Sequence, residues 1–449
     1  MINKKYLLPI ALILAFIFNA VPAQEKKADT ELFKKLKALP GVKEITPTRF
    51  DTASFKEGYE IMFEQPLNHA KPNGEKFRQR IFLLHKDFSR PVDLETEGYQ
   101  AGGARMTELN RILEGNILVV EHRFFGKSVP KVMKWENLTI KNSADDLHKI
   151  VTTLKKLYTG KWVSSGVSKG GQTTLFYKTF YPDDVDASVP YVAPINLSDE
   201  DPRIYSFLKT VGDEECRRKI KEYQIALLKR EDELLPKVKE MAEKRKMVFS
   251  IGIEAAYEYA VLEYEFAFWQ YGNVKCADIP APDAPADQLL EHLNRTNAMY
   301  YYSDMGIKQF EAFIYQAYTE IGYYNYDIAE LKPYLRAVKN PTNTILAPKG
   351  VKMIYNPATL QKVYHFLQYE GNNIAYIYGE LDTWSSTAVQ LLGRTNAIKL
   401  VKKGGYHGSS IRNLSDEQKE LFYTSMEKWL GMKLKRLPDT PPGPPRRNN

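Results

Sequence analysis

Cysteine is nearly missing from this chain: Cys216 and Cys276 are the two in 449 residues. Two are too few to build a structural metal centre, so no metal and no cofactor is expected. A block of lysine and arginine interleaved with aromatics is also missing. Its absence argues against a nucleic-acid partner, although the formal net charge is +8. No apolar run is long enough to span a bilayer comfortably; the stretch over residues 6–18 is too short. No internal repeat is visible. Histidine is scarce, with seven in all, and that scarcity later narrows the choice of a catalytic base.

What remains is an ordinary globular composition, 43% hydrophobic and 26% charged. The chain is long enough for a large core carrying an inserted second region. Its 29 tyrosines and 21 phenylalanines suit core packing for the most part, with some left to line a groove that grips peptide-like or aromatic ligands. Lys4 and Lys5, the apolar stretch after them and the small residues of Val21-Pro22-Ala23 read as a secretory signal cut after Ala23. Cleavage would remove two of the positive charges. No cysteine lies near the cut, so no lipid anchor is expected there. In an oxidising compartment the even pair Cys216 and Cys276 is expected to form a disulfide. The loop it closes would be worth about 4 kcal/mol in the chain-entropy model; the alternative is two unlinked buried thiols.

The most informative stretch is Gly166-Val167-Ser168-Lys169-Gly170. It lies between a strand-like run and a segment of helical character, and a serine in G-x-S-x-G at such a junction reads as a nucleophile elbow. Upstream, strand patterns fall at residues 59–64, 80–85, 92–95 and 117–121, and a helical pattern at 145–158. Strands at 162–165 and 185–192 flank the elbow helix. Two antiparallel strands followed by β-α-β alternation predict an α/β protein with a mostly parallel sheet. From residue 199 to about 341 the pattern is all helix, at 213–245, 253–271, 288–302 and 307–321. Strand pattern returns at 374–378 and 397–401, and a closing helix covers 416–430. The expected organisation is a signal (1–23), a lead-in (24–46), a core in two parts (47–198 and 342–436), a helical cap inserted between them (199–341), and a proline-rich disordered tail (437–449).

A serine hydroxyl needs a base, and the base needs a carboxylate to hold its tautomer. In this arrangement the chain order is serine, acid, histidine. His365 and His407 are the two histidines after the cap. His407, in the loop GGYHGSS after a strand, is favoured over His365, which sits in an amphipathic helical stretch. The acid belongs in the loop Gly379-Glu380-Leu381-Asp382; Asp382 is the better placed and Glu380 the competitor, and helix capping is the bland reading of both. Oxyanion donors are expected from the N–H of Lys169 and from Gly98 or Tyr99 in the loop after strand 92–95.

Several segments occur together in order: FEQPLNH (63–69) with FRQR (77–80), EHRFFGKS (121–128), GVSKGG (166–171), YQAYTEIGYY (315–324) and GELDTW (379–384). In them the chain resembles the secreted prolyl tri- and tetrapeptidyl aminopeptidases. It is also similar, more distantly, to the prolyl carboxypeptidase and dipeptidyl peptidase II group. The resemblance covers about residues 51–430. It implies an α/β-hydrolase core with a helical cap and a serine exopeptidase acting on peptides with free N-termini, with proline before the cut and Ser168, Asp382 and His407 as triad. Lys169 stands where the lysosomal relatives carry an aromatic, which leaves the neighbouring pocket open. A substrate ammonium would need a carboxylate. Glu320 is the leading candidate, with the alternative that it pairs with Arg123. The cap segment Glu263-Tyr264-Glu265 and the turn Asp199-Glu200-Asp201 compete. Glu121, His122 and Arg123 are read as bracing rather than catalytic. An esterase or lipase, a dipeptidyl peptidase and an inactive binding protein are the other readings. The tail carries no sorting domain, which favours the periplasm over the extracellular space.

Overall fold

In the computed structural model, residues 30–296 and 298–438 are described. The signal expected over residues 1–23 lies outside them, as does the tail beyond Pro438. Nine strands form one sheet: β1 (Val42–Pro47), β2 (Glu57–Pro66), β3 (Lys76–His85), β4 (Val92–Thr96), β5 (Asn116–Val120), β6 (Trp162–Val167), β7 (Ala187–Tyr191), β8 (Ala375–Gly379) and β9 (Ile398–Lys402). Their spatial order is β1-β2-β3-β5-β4-β6-β7-β8-β9. The β1–β2, β2–β3 and β3–β5 pairs are antiparallel; every pair from β5–β4 onward is parallel. The parallel strands β5, β7 and β8 are buried along their whole length. Helices cover both faces of such a sheet, so these strands read as apolar runs rather than alternating patterns.

The helices preceding the insertion are α1 (Glu31–Lys37), α2 (Glu108–Leu113), α3 (Ile140–Leu154) and α4 (Lys169–Phe180). Between β7 and β8 come α5 (Pro202–Leu208), α6 (Glu214–Lys229), α7 (Glu231–Lys244), α8 (Ile253–Tyr271), α9 (Ala286–Asn294), α10 (Ala298–Tyr301), α11 (Asp304–Gln316) and α12 (Ala358–Tyr369). The last helix is α13 (Asp416–Leu430). No strand of the sheet falls between β7 and β8, and the two ends of that long excursion are held side by side through Tyr191 opposite Ile377. One apolar cluster runs from Leu175 and Phe176 of the core through Tyr264 and Trp269 of α8 to Trp384 after β8. The helical insertion therefore shares a core with the sheet. Cys216 of α6 and Cys276, just beyond α8, are joined in the expected disulfide.

The described part of the lead-in holds both a helix and the start of a strand. Helix α1 is there, capped by Thr30, whose side chain accepts from Phe33 N. The chain then enters β1, an edge strand with no fully buried residue. The run 213–245 is two helices, α6 and α7, that meet at Arg230. The run 307–321 ends in a π turn at Ala317–Ile321, a point that matters for Glu320.

Candidate active site

Ser168 stands between β6 and α4 with φ 57° and ψ −123°. A non-glycine residue held at positive φ is uncommon and costs on the order of 1–3 kcal/mol, so the surrounding structure must impose it. Two contacts do so: Ser168 N donates to Tyr191 O at 2.8 Å, and Gln172 N donates to Ser168 O at 3.0 Å. The flanking glycines are sterically required. A Cβ on Gly166 would meet Gly170 C at 2.4 Å, and one on Gly170 would meet Thr96 O at 2.6 Å.

Asp382 follows β8 and is fully buried. Its carboxylate accepts from Trp384 N at 3.1 Å and from Ser385 Oγ at 3.3 Å. His407 follows β9, with Nδ1 2.8 Å from Asp382 Oδ2. That bond fixes the ring and leaves Nε2 as the nitrogen for proton transfer. Nε2 is buried without a hydrogen-bond partner, so no bond joins it to Ser168 Oγ in this structure. The His407 main-chain N–H donates to Gln270 O, the last turn of α8, at 2.9 Å. Glu380, the competing acid, is spent on the main chain: it accepts from Gly404 N at 2.7 Å. His365 lies on α12 against the ring of Tyr369.

Ser168 lines a cavity of about 350 Å³ with Tyr99, Lys169, Asn196, Glu263, Gln270, Tyr301, Tyr324 and Trp384 among its walls. Most of these walls are supplied by the helical insertion. The loop after β4 packs on the start of α4 so closely that a Cβ on Gly98 would sit 2.5 Å from Lys169 Cβ. This contact brings the expected oxyanion segments, Gly98-Tyr99 and Lys169, side by side. Lys169 is 3% exposed, with Nζ 5.7 Å and 5.4 Å from the ring centres of Tyr99 and Phe125. Burial pushes its ammonium down to about 7.

Of the carboxylates expected to hold a substrate ammonium, Glu320, Glu265 and Glu200 lie outside the lining of this cavity, and each placement has a physical cause. Glu320 sits in the π turn, rotated toward the start of α3. It accepts from Ile140 N at 2.6 Å and from Thr359 Oγ1 at 3.4 Å, satisfying one of the orphan amides of a helix N-terminus. Nor does Arg123 pair with it: Arg123 Nε and Nη2 donate to the two oxygens of Asp146 at 2.7 and 2.8 Å. Glu265 faces the opposite side of α8, 3.4 Å from Lys221 Nζ. Glu200 is exposed and accepts from Asn325 Nδ2 at 3.0 Å. Glu263, from the same α8 segment, is the carboxylate that lines the cavity with Ser168. It is 7% exposed and accepts from Tyr324 and Tyr326 hydroxyls at 2.7–2.9 Å. Burial pushes its pKa up to about 7, against the tyrosine hydrogen bonds that lower it.

Glu121, His122 and Arg123 brace the loops. Glu121 is fully buried against Arg80 and accepts from the amides of Ala101, Lys127 and Ser128. Burial holds His122 well below the usual imidazole range, so it stays neutral. Among the described residues no group of three or more His, Cys, Asp or Glu is placed to hold a metal ion. No helix among them is long and apolar enough to cross a membrane.

Sheet order, elbow and the carboxylate–imidazole pair after β8 and β9 together define an α/β-hydrolase. The family model of PS-10 peptidase S37 matches residues 24–444, and the chain belongs to that family. It is 30% identical over 407 residues to the prolyl tri/tetrapeptidyl aminopeptidase of Streptomyces mobaraensis, covering 88% of this chain and 84% of that protein. It is thus a serine peptidase of aminopeptidase type. Among solved structures it is similar to acetyl xylan esterase 1 from Thermoanaerobacterium (TM-score 0.39, 11% identity, 88% of this chain and 92% of that one). It is also similar to the proline iminopeptidase of Mycobacterium smegmatis (TM-score 0.35, 12% identity, 82% and 97%).

Proposed function

We propose that this protein is a secreted exopeptidase that releases short peptides, tripeptides foremost, from free N-termini, with proline before the cut. Ser168 Oγ attacks the carbonyl carbon while His407 Nε2 takes its proton; Asp382 stabilises the imidazolium that results. The proton then passes to the leaving amine, and water releases the acyl peptide by the same route in reverse. The N–H groups of Lys169 and of Gly98 or Tyr99 receive the oxyanion, each worth about 2.7–4 kcal/mol in the transition state. Glu263 receives the substrate ammonium. The observation that carries this reading is that one cavity holds both Ser168 and a buried carboxylate, Glu263. A fixed anion beside a nucleophile measures distance from the N-terminus, which is what an exopeptidase needs. The name of the Streptomyces relative supports proline and the tripeptide length. The signal-like amino terminus and the disulfide support secretion to the periplasm or beyond.

The test has two parts. A fluorophosphonate probe should label the wild type and not S168A. Mass spectrometry of products from proline-containing peptides should then show tripeptides released in sequence from the free end. Dipeptide release would correct the length, and failure to label would remove the serine mechanism.

A further inference from the structure

Helix α8 touches both halves of the site. Glu263, Phe266 and Gln270 are spaced i, i+3 and i+7, which places them along one stripe of the helix. Each does something different there. Glu263 presents its carboxylate to the cavity. Phe266 O accepts the hydroxyl of Thr383, the residue next to Asp382, at 3.0 Å. Gln270 O, one of the carbonyls that a helix end leaves without an internal partner, accepts the main-chain N–H of His407 at 2.9 Å. The helix stops at Gly272, whose left-handed φ of 60° closes the last turn. A Cβ on Gly272 would meet the ring of Tyr406 at 2.3 Å, so the helix end is pressed directly against the loop that carries His407.

Side chains complete the link. The Tyr324 hydroxyl is bonded to Glu263, and its ring stacks on Phe266 with centroids 3.9 Å apart. Phe266 in turn meets Trp384 edge-on at 5.1 Å, and Trp384 N is a donor to Asp382. We infer that Thr383 and the C-terminal turn of α8 are positioning elements of the Asp382–His407 pair. The helix that carries the candidate ammonium anchor thereby also sets the alignment of the base. This rests on the catalytic roles proposed above.

The decisive variants are T383V, which keeps shape and removes the donor, and T383S, which restores it. T383V should lower kcat on a free-amine tripeptide substrate by about tenfold to a hundredfold, the scale of a small misplacement in an active site, with KM within about twofold. The rate of fluorophosphonate labelling, which involves no substrate ammonium, should fall in parallel. T383S should recover most of both. G272A, which forces the helix end and Tyr406 apart, should give the same signature and carries the test if T383V does not fold. Wild-type kcat and labelling rate in folded T383V, or no recovery in T383S, would overturn the inference while leaving the peptidase reading intact. Absence of labelling in the wild type would overturn both.

Discussion

The hydroxyl of Tyr324 lies 2.8 and 2.9 Å from the two oxygens of Glu263. These bonds favour the charged carboxylate against the burial that raises its pKa, which suits the proposed role of an anion for the substrate ammonium. Removing that charge without changing shape separates recognition from chemistry. E263Q should lose about 2 kcal/mol or more in kcat/KM on peptides with a free N-terminus, roughly thirtyfold. Hydrolysis of a small neutral ester should stay within about twofold. Equal loss on both substrates would show that Glu263 supports the fold of the cavity rather than binding ammonium.

The same residue predicts a pH dependence of binding. Burial raises Glu263 to about 7, so the carboxylate becomes an anion as pH rises through that value. A peptide α-amino group loses its charge near about 7.7–8.0. Opposite charges therefore coexist over a narrow window, and KM for free-amine peptides should be lowest between about pH 7 and about pH 8. The acidic limb of the KM profile should vanish in E263Q. A wild-type KM that is flat from pH 5.5 to 7.5 would contradict the assignment.

Legibility in the sequence followed how strongly local chemistry constrained each element. The elbow could be read because Gly166 and Gly170 have no tolerance for a side chain. Helix α8 and helix α13 fall at their expected bounds, since each is closed by a left-handed glycine, Gly272 and Gly431. Strand β1 was not legible: an edge strand with both faces partly wet has no apolar alternation to show. The break at Arg230 carries neither glycine nor proline, so α6 and α7 read as one. The choice among carboxylates is not legible in the sequence for a different reason. Glu263 and Glu265 are two residues apart and face opposite ways, and the π turn rotates Glu320 off the face that an unbroken α-helix would give it. Composition names the acids; the helix phase, set by packing, decides which one meets the cavity.

The acidic row on β4 predicts how stability varies with pH. Asp93, Glu95 and Glu97 alternate along the strand and its end, so they share one face. Burial pushes them up to about 6, about 8 and about 7 respectively. Thr107 and Ser165 hydroxyls partly offset this at Asp93, and the charge of Arg105 at Glu95 and Glu97; Glu121 adds repulsion at Glu97. In the unfolded chain these carboxyls titrate near about 4. Below that pH they are neutral in both states and cost nothing. Between about pH 4 and about pH 8 the unfolded chain releases protons that the folded chain still holds. Folding stability from this row is therefore full in acid and lost as pH rises to about 8. The melting temperature should fall between pH 5 and pH 8.5. E95Q, neutral at every pH, should be more stable than wild type by about 1 kcal/mol at pH 8.5, a value reduced for the partial exposure of Glu95, or about 1 °C in Tm. At pH 4.5 the two should melt together. A wild-type Tm that rises from pH 5 to pH 8.5, with E95Q following it, would mean that the row is paired more fully than burial and Arg105 imply.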